Sequence, residues 1–287
     1  MIDMPKFGWK KDTRDERDKL RGKAVVSVPD VVDLSPFLPS VRDQGNLGSC
    51  TGFGIGGNLT GCAKQQDAYT EWFSPTWIYN GARMLEGTLR YDDGAYPRDC
   101  LEFIKEYGSL LEHFRPYSDT LDKSDPTTWW CAPEAKKWPI VSYERLVDGV
   151  DGIISALASG HLVSLGTPWY DSWMYPDSSG VVPDDYRFVV GGHEYLCYGY
   201  NKNTQLLYCQ NSWGTGWGKG GRFMVPFSAI AQFKEDGGYD AHIVRVDWVN
   251  GPDPDPEPPD PVVKKTNWLL IAIIAAVAVA AIVFIFK

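Results

Sequence analysis

The chain is expected to fold as an α+β protein of two lobes with a cleft between them, followed by a single C-terminal transmembrane helix. Three observations carry this. Helix-like periodicity dominates up to about residue 107, and strand-like segments with loops dominate from about residue 139. Helices early and strands late describe two packed layers of different kinds. The third observation is the run from Trp268 to Phe286, 19 residues without a charge, about 28 Å as a helix and long enough for a bilayer core. At 287 residues with 44% hydrophobic content and 14% aromatics, one two-lobed domain can bury a sizeable core. A formal charge of −9 argues against a nucleic-acid partner.

Composition divides the chain. Residues 1–27 are a charged N-terminal extension with one amphipathic helix expected from Asp12 to Lys23, and no apolar core of a signal peptide. Residues 28–250 form the domain. Residues 251–266 are a linker that alternates proline with acid, an extended spacer rising on the order of 3 Å per residue. Residues 267–287 are the membrane helix, with Lys264, Lys265 and Trp268 on one side and Lys287 on the other as interface anchors. Two lysines before the helix against one after it lean towards a cytoplasmic domain, the arrangement of a tail-anchored protein.

Within the domain, Val28 to Val41 carries three prolines and reads as extended chain. Ser74-Pro75 opens a helix on which Trp77, Ile78, Ala82, Met84 and Leu85 share a core face. Asp99 to Tyr107 is a further helix, stopped by Gly108. Ile153 to Ser159 is a short helix before an apolar strand, Leu162 to Gly166. A strand opening at His193 turns at Asn201–Thr204 and returns through Leu206 to Gln210. A hairpin symmetric about Lys202 would set His193 opposite Asn211.

The chemistry centres on Gln44-Gly-Asn-Leu-Gly-Ser-Cys50. Gly48 permits a tight turn and Ser49 suits a helix entry, so Cys50 would sit where backbone N–H groups and the helix dipole favour a thiolate. A nucleophilic thiol needs a base and a group to orient it. Of the four histidines, only His193 has a neighbourhood that offers both, through Asn211. His113, His161 and His242 read as structural.

Gln44…Gly48-Ser49-Cys50, Gly192-His193 and Asn211-Ser212-Trp213-Gly214…Trp217-Gly218 resemble the three blocks of papain-like cysteine peptidases. His193 follows Cys50 by 143 residues (193 − 50), within the family's range of about 130–150; Asn211 follows by 161 (211 − 50), slightly beyond. Asp93-Gly94-Ala95-Tyr96-Pro97 looks like the family's substrate-cleft segment. The resemblance implies a helical lobe and a β-barrel-like lobe, with Cys50 as nucleophile, His193 as base, Asn211 as orienting residue and Gln44 as oxyanion donor. Gly94, Ala95, Glu194, Trp213 and Trp217 would be substrate-binding, Trp213 covering the Asn211–His193 bond and Trp217 lining the leaving-group side. It also implies a long helix from Cys50, although Gly52, Gly54, Gly56, Gly57 and Gly61 each cost about 1 kcal/mol against alanine. Small residues four apart would let another element pack closely there.

The likeness has departures. Thr51 stands in place of an aromatic, and Ala95 in place of a second glycine. Glu194 stands where a small residue is usual: facing the cleft it would stabilise an imidazolium and favour a basic substrate side chain, and turned away it would be a solvated carboxylate. The cysteine pair expected of secreted members falls on Leu47 and Asp92, which suits a reducing compartment. Cys62, Cys100, Cys131, Cys197 and Cys209 read as small buried residues. With no Cys-x-x-Cys spacing zinc is not expected, and the resemblance implies neither a metal nor an organic cofactor. The first 27 residues are shorter than the family's inhibitory pro-segments, which puts control by cleft filling in doubt. The expectation is thus a membrane-anchored endopeptidase acting on polypeptides through the bilayer-bound chain. The alternatives are a catalytically silent binding or structural protein and an acyl transferase or isopeptidase with the same residues. The membrane could be a cell's or a virus particle's.

Overall fold

Two hydrophobic cores, one helical and one built on a sheet, organise the chain. The computed structural model describes residues 6–22, 27–235 and 238–248, all within one compact unit, Met1–Pro252. The linker and the helix expected at 268–286 lie outside the described residues. Among the described residues no helix is long and apolar enough to cross a membrane.

The helical lobe contains α1 (Cys50–Gln65), α2 (Pro75–Leu85), α3 (Pro97–Tyr107) and the short α4 (Ala132–Ala135). Ser74 caps α2 by accepting from the Trp77 N–H at 3.2 Å, with Pro75 in the first turn. Trp77, Ile78 and Ala82 are buried as expected; Leu85, the last residue of α2, is 44% exposed. The glycines of α1 explain why it forms against propensity. A Cβ on Gly52 or Gly56 would press on the backbone carbonyls of Pro75 and Phe73, and one on Gly61 would overlap the Leu162 side chain. Burial against α2 and the sheet therefore overrides the local cost.

The sheet is formed by β1 (Leu20–Arg21), β2 (Val31–Asp33), β3 (Ser142–Leu146), β4 (Val163–Tyr170), β5 (Val189–Asn201), β6 (Leu206–Gln210), β7 (Arg222–Pro226) and β8 (Asp240–Arg245). Its order is β1-β3-β8-β4-β5-β6-β7, with β2 added to β5. Helices α5 (Val150–Ala158) and α6 (Phe227–Glu235) complete this lobe. The helix expected at Asp12–Lys23 does not form. Asp12 and Asp18 are drawn instead into ion pairs with Arg98 and Arg145, and the segment ends in β1, parallel to β3. The β5–β6 hairpin also departs from symmetry about Lys202. Asn201 pairs Leu206, Leu196 pairs Gln210, and a bulge between Cys197 and Gly199 shifts the register. His193 is therefore not directly opposite Asn211.

Candidate active site

Cys50 is the first residue of α1, fully buried where the helix meets the start of β5. Ser49 occupies the cap position, but its hydroxyl pairs with the Tyr117 hydroxyl at 2.7 Å rather than with the helix backbone. Burial is the main cause that pushes the Cys50 thiol up to about 12. The backbone N–H groups of Glu194, Gly8 and Thr51 partly offset this by favouring the thiolate. The depressed pKa expected of a helix-terminal thiol is therefore absent in this state, because desolvation outweighs the helix end.

His193 stands on β5, with Nε2 2.7 Å from Asn211 Oδ1. The bulge brings the two side chains together without direct strand pairing. The Asn211 N–H is fixed to the Gly221 carbonyl at 2.9 Å, and Asn211 Oδ1 also accepts from the Ser212 N–H. Nδ1 of His193 is buried without a partner, which leaves it as the nitrogen available to a thiol. The Trp213 ring lies 4.6 Å from the imidazole and Trp169 4.9 Å. Burial lowers the His193 pKa to about 4, opposed by the Asn211 bond. Trp217 packs on Trp213 at 5.1 Å and donates its indole N–H to the Met174 carbonyl.

Gln44 is buried between the lobes. Its Oε1 accepts from the Ser212 hydroxyl at 2.7 Å, which fixes the amide nitrogen towards the cleft. That nitrogen donates to the carbonyls of Leu47, at 2.8 Å, and Lys6, at 3.0 Å. Tyr117 holds the same loop from behind, its hydroxyl donating to the Gln44 carbonyl at 2.7 Å. Ser212 lies inside a motif the sequence displayed, whereas Tyr117 has no local signal at all.

The cleft segment is set by Asp92, whose carboxylate accepts from the Gly48 N–H at 3.0 Å and the Tyr79 hydroxyl at 2.7 Å. It thereby links the two loops that secreted relatives are expected to join by a disulfide. All six cysteines are free. Gly94 has φ +77°, where glycine alone is unstrained.

Residues 6–10 run through this cleft, against the expectation drawn from the shortness of the N-terminal extension. The Gly8 and Trp9 N–H groups both donate to the Gly192 carbonyl, at 3.1 and 3.0 Å. Ala95 donates to the Gly8 carbonyl at 2.8 Å and accepts from the Lys10 N–H at 3.1 Å, forming a parallel bridge with Trp9. The Phe7 ring stands edge-on to His193 and Trp213. Gly8 is where close approach matters: a Cβ there would overlap the Gly48 carbonyl. The Gln44 amide and the backbone groups of Ala95 and Gly192 are thus taken by the chain itself.

Glu194 meets neither expectation. Strand alternation turns it from His193, yet it is buried against α1, where a Cβ on Gly54 would press on its carboxyl. Burial and the nearby Asp12 and Asp240 push its pKa well above the usual carboxylate range. Among the described residues no group of His, Cys, Asp and Glu is placed to hold a metal.

A helical lobe and a sheet lobe that meet across a buried thiol and an amide-held imidazole make up the two-lobed thiol-peptidase architecture. The sequence profile described as Papain family cysteine protease matches residues 28–231, and the chain belongs to that family. An uncharacterized peptidase C1-like protein of Acanthamoeba polyphaga mimivirus is 32% identical over 220 residues, 70% of this chain and 68% of that protein. The cathepsin B-like CP3 of Giardia intestinalis is 28% identical over 197 residues, 66% of this chain and 64% of that protein. This chain therefore spans about two thirds of the length of these relatives. The crystal structure of xylellain, a cysteine protease from Xylella fastidiosa, matches with a TM-score of 0.76 at 27% identity, covering 84% of this chain and 96% of that one.

Proposed function

We propose that the protein is a cysteine endopeptidase acting through Cys50, His193, Asn211 and Gln44, and that residues 6–10 hold it closed. The observation that carries the reading is the His193–Asn211 bond of 2.7 Å with Nδ1 left without a partner, in a chain whose buried Cys50 thiol opens a helix. In the opened cleft, the Cys50 thiol passes its proton to His193 Nδ1 and the sulfur attacks the scissile carbonyl carbon. The resulting oxyanion accepts from the Gln44 amide, which now holds the Lys6 carbonyl, and from the Cys50 N–H. His193 then protonates the departing amine, leaving a thioester on Cys50. Water, deprotonated by His193, attacks the thioester; the acid product leaves and the thiol is restored. Asn211 keeps the ring in register and Trp213 excludes water from their bond. Gly94 and Ala95 present backbone to the substrate.

The test is thiol-directed epoxide labelling of the full chain and of its Gly8→Val form, with mass mapping and a peptide-library digest. The expected result is an adduct on Cys50 that is lost in His193→Ala, together with cleaved peptides that vanish in Cys50→Ala. Turnover that persists with Cys50 blocked would remove the reading.

Anchoring at a bilayer through residues 268–286, with the domain in the cytoplasm, is proposed from the uncharged run and its flanking lysines. The mimiviral relative makes the membrane of a virus particle the second reading. Flotation with liposomes of the full chain but not of residues 1–250 is the expected result; equal flotation of both would overturn it.

A further inference from the structure

Two of the six cysteines face each other across a pair of strands. Cys197 on β5 pairs with Cys209 on β6, and both are fully buried in the core of the sheet lobe. They form the last pair on the His193–Asn211 side of the bulge, since beyond it Gly199 pairs with Tyr208. The pairing is of the closely spaced kind. Asn211, two residues after Cys209, gives its backbone N–H to Gly221, at the start of β7. Met224, the β7 partner of Tyr208, gives its N–H to Gly180 and its carbonyl to Val182, and so turns away from β6. Alternate residues of a strand turn their backbone groups the same way, so those of Cys209 face β7 and its pairing with Cys197 carries no backbone hydrogen bonds. Such partners have Cα atoms about 4.5 Å apart, inside the span of about 4.4–6.8 Å that a disulfide bridges. The two thiols are near enough to share a hydrogen bond.

The position of the pair ties it to the site. His193, Tyr195 and Cys197 alternate along β5 and so share one face, as do Cys209 and Asn211, two residues apart. The Tyr195 ring, between Cys197 and His193 on that face, lies 6.4 Å from the imidazole. In a hairpin symmetric about Lys202, Cys197 would stand opposite Leu207 and Cys209 opposite Tyr195. A slip of one residue from the observed pairing would set Cys209 opposite Tyr198, whose ring packs on the other face beside Leu38. Only the bulged register brings the two sulfurs together, and it is the register that sets His193 Nε2 2.7 Å from Asn211 Oδ1. The other cysteines stand on α1 (Cys50 and Cys62), on α3 (Cys100) and at the entrance to α4 (Cys131), none of them on a strand.

We propose that Cys197 and Cys209 are a redox-active pair, a dithiol in reducing surroundings that glutathione disulfide or a similar small disulfide closes into a cross-strand bridge, locking the register on which the His193–Asn211 bond depends. One cysteine thiolate attacks a sulfur of glutathione disulfide, and one glutathione leaves as its thiolate. The second cysteine thiolate then attacks the protein-side sulfur of the mixed disulfide, and the other glutathione leaves. Each departing glutathione takes up the proton that one cysteine gave up. The chain loses two hydrogens and two electrons, and one glutathione disulfide becomes two glutathiones. Because both sulfurs are buried, exchange proceeds through opening of the β5–β6 hairpin, and the same burial shields the finished bridge from thiols.

The experiment holds the full chain carrying Cys50→Ala in glutathione buffers of rising disulfide content at about pH 8, in urea just below the unfolding midpoint so that the hairpin opens. Free thiols are then alkylated and the chain is digested with trypsin. Cleavage after Arg187, Lys202 and Lys219 separates the two cysteines, so the bridge is read as peptide 188–202 joined to 203–219. That joined pair is expected as the main product. Thermal unfolding should rise by roughly 5 °C or more on oxidation, and the rise should be absent in Cys197→Ala and in Cys209→Ala. Both cysteines recovered alkylated, or each carrying its own glutathione, once the map no longer changes with time, would overturn the proposal. A bridge from either one to a third cysteine would do the same. The lock on the register is read in the Gly8→Val chain with Cys50 intact, oxidised and then briefly treated with a mild thiol to restore Cys50. Its peptide turnover should halve at a urea concentration about 1 M higher than that of the reduced chain. An equal midpoint in a chain shown to be bridged, or the same rise in Cys209→Ala, overturns the lock. A chain that bridges yet cleaves no peptide upholds the bridge and fails the peptidase reading alone.

Discussion

The two walls of the cleft are built differently. On the helical wall, Gln44 and Cys50 lie six residues apart, and a turn and a helix N-terminus hold them. On the sheet wall, His193 and Asn211 come from different strands and meet only because a bulge between Cys197 and Gly199 shifts the pairing. The first wall is local and the second depends on register, so His193 should be more easily displaced than Cys50. Ser212 joins the walls, since its hydroxyl orients Gln44 from the sheet side.

Substitutions can break or sharpen this contrast. The largest effect is expected from Cys50→Ala in the Gly8→Val chain, which should lower peptide kcat by roughly 10⁴-fold or more while leaving the melting temperature within a few degrees. Asn211→Ala should cost about 10²-fold in kcat with little change in KM, since the imidazole loses its orientation but the backbone groups that pair with substrate remain. An equal loss in KM would mean that Asn211 shapes the cleft rather than the ring. Gly8→Val alone should raise peptide hydrolysis by about tenfold over the parent, because the valine branches cannot pass the Gly48 carbonyl and the segment must leave. A decrease would show that residues 6–10 support the cleft rather than block it.

Alkylation of Cys50 gives the pH arm. With residues 6–10 in place the thiol is pushed up to about 12 and His193 down to about 4, both chiefly by burial, so both groups are neutral at pH 7. Iodoacetamide should therefore react slowly at pH 7 and faster with each step towards pH 10, as the thiolate fraction grows. In the Gly8→Val chain the same rates are expected at least about two pH units lower, since water reaches the pair and the imidazolium can stabilise the thiolate. Coincident profiles would show that the segment leaves the thiol's surroundings as they are. The smallest effect is set for Tyr117→Phe, which removes the hydroxyl that donates to Gln44 and should cost about 1 kcal/mol in urea unfolding.

How much could be read from the chain follows the same division. Cys50, the helix after it and the Ser74-Pro75 helix entry rest on neighbouring residues, and the motif displays them. The two lobes and the His193–Asn211 partnership were also legible, but the partnership arises from a bulge that a symmetric hairpin does not contain. The path of residues 6–22 was not legible. Its charges suggested an amphipathic helix, whereas Asp12 and Asp18 bury themselves against Arg98 and Arg145 from distant elements. Long-range ion pairs leave no periodicity to detect. Glu194 illustrates the limit again: alternation placed it away from His193, but only the α1 glycines reveal that this side is buried as well.

The Asp92 link to Gly48 has a practical consequence. Oxidative folding is not needed to fasten the cleft loops, because a carboxylate accepting from a backbone N–H and from the Tyr79 hydroxyl does the fastening. The dithiothreitol routinely added to keep a reactive sulfur reduced would leave this scaffold untouched, so a single buffer serves both the chemistry and the fold. Reduction has no disulfide to break here, since all six cysteines are free and the loops are held by hydrogen bonds.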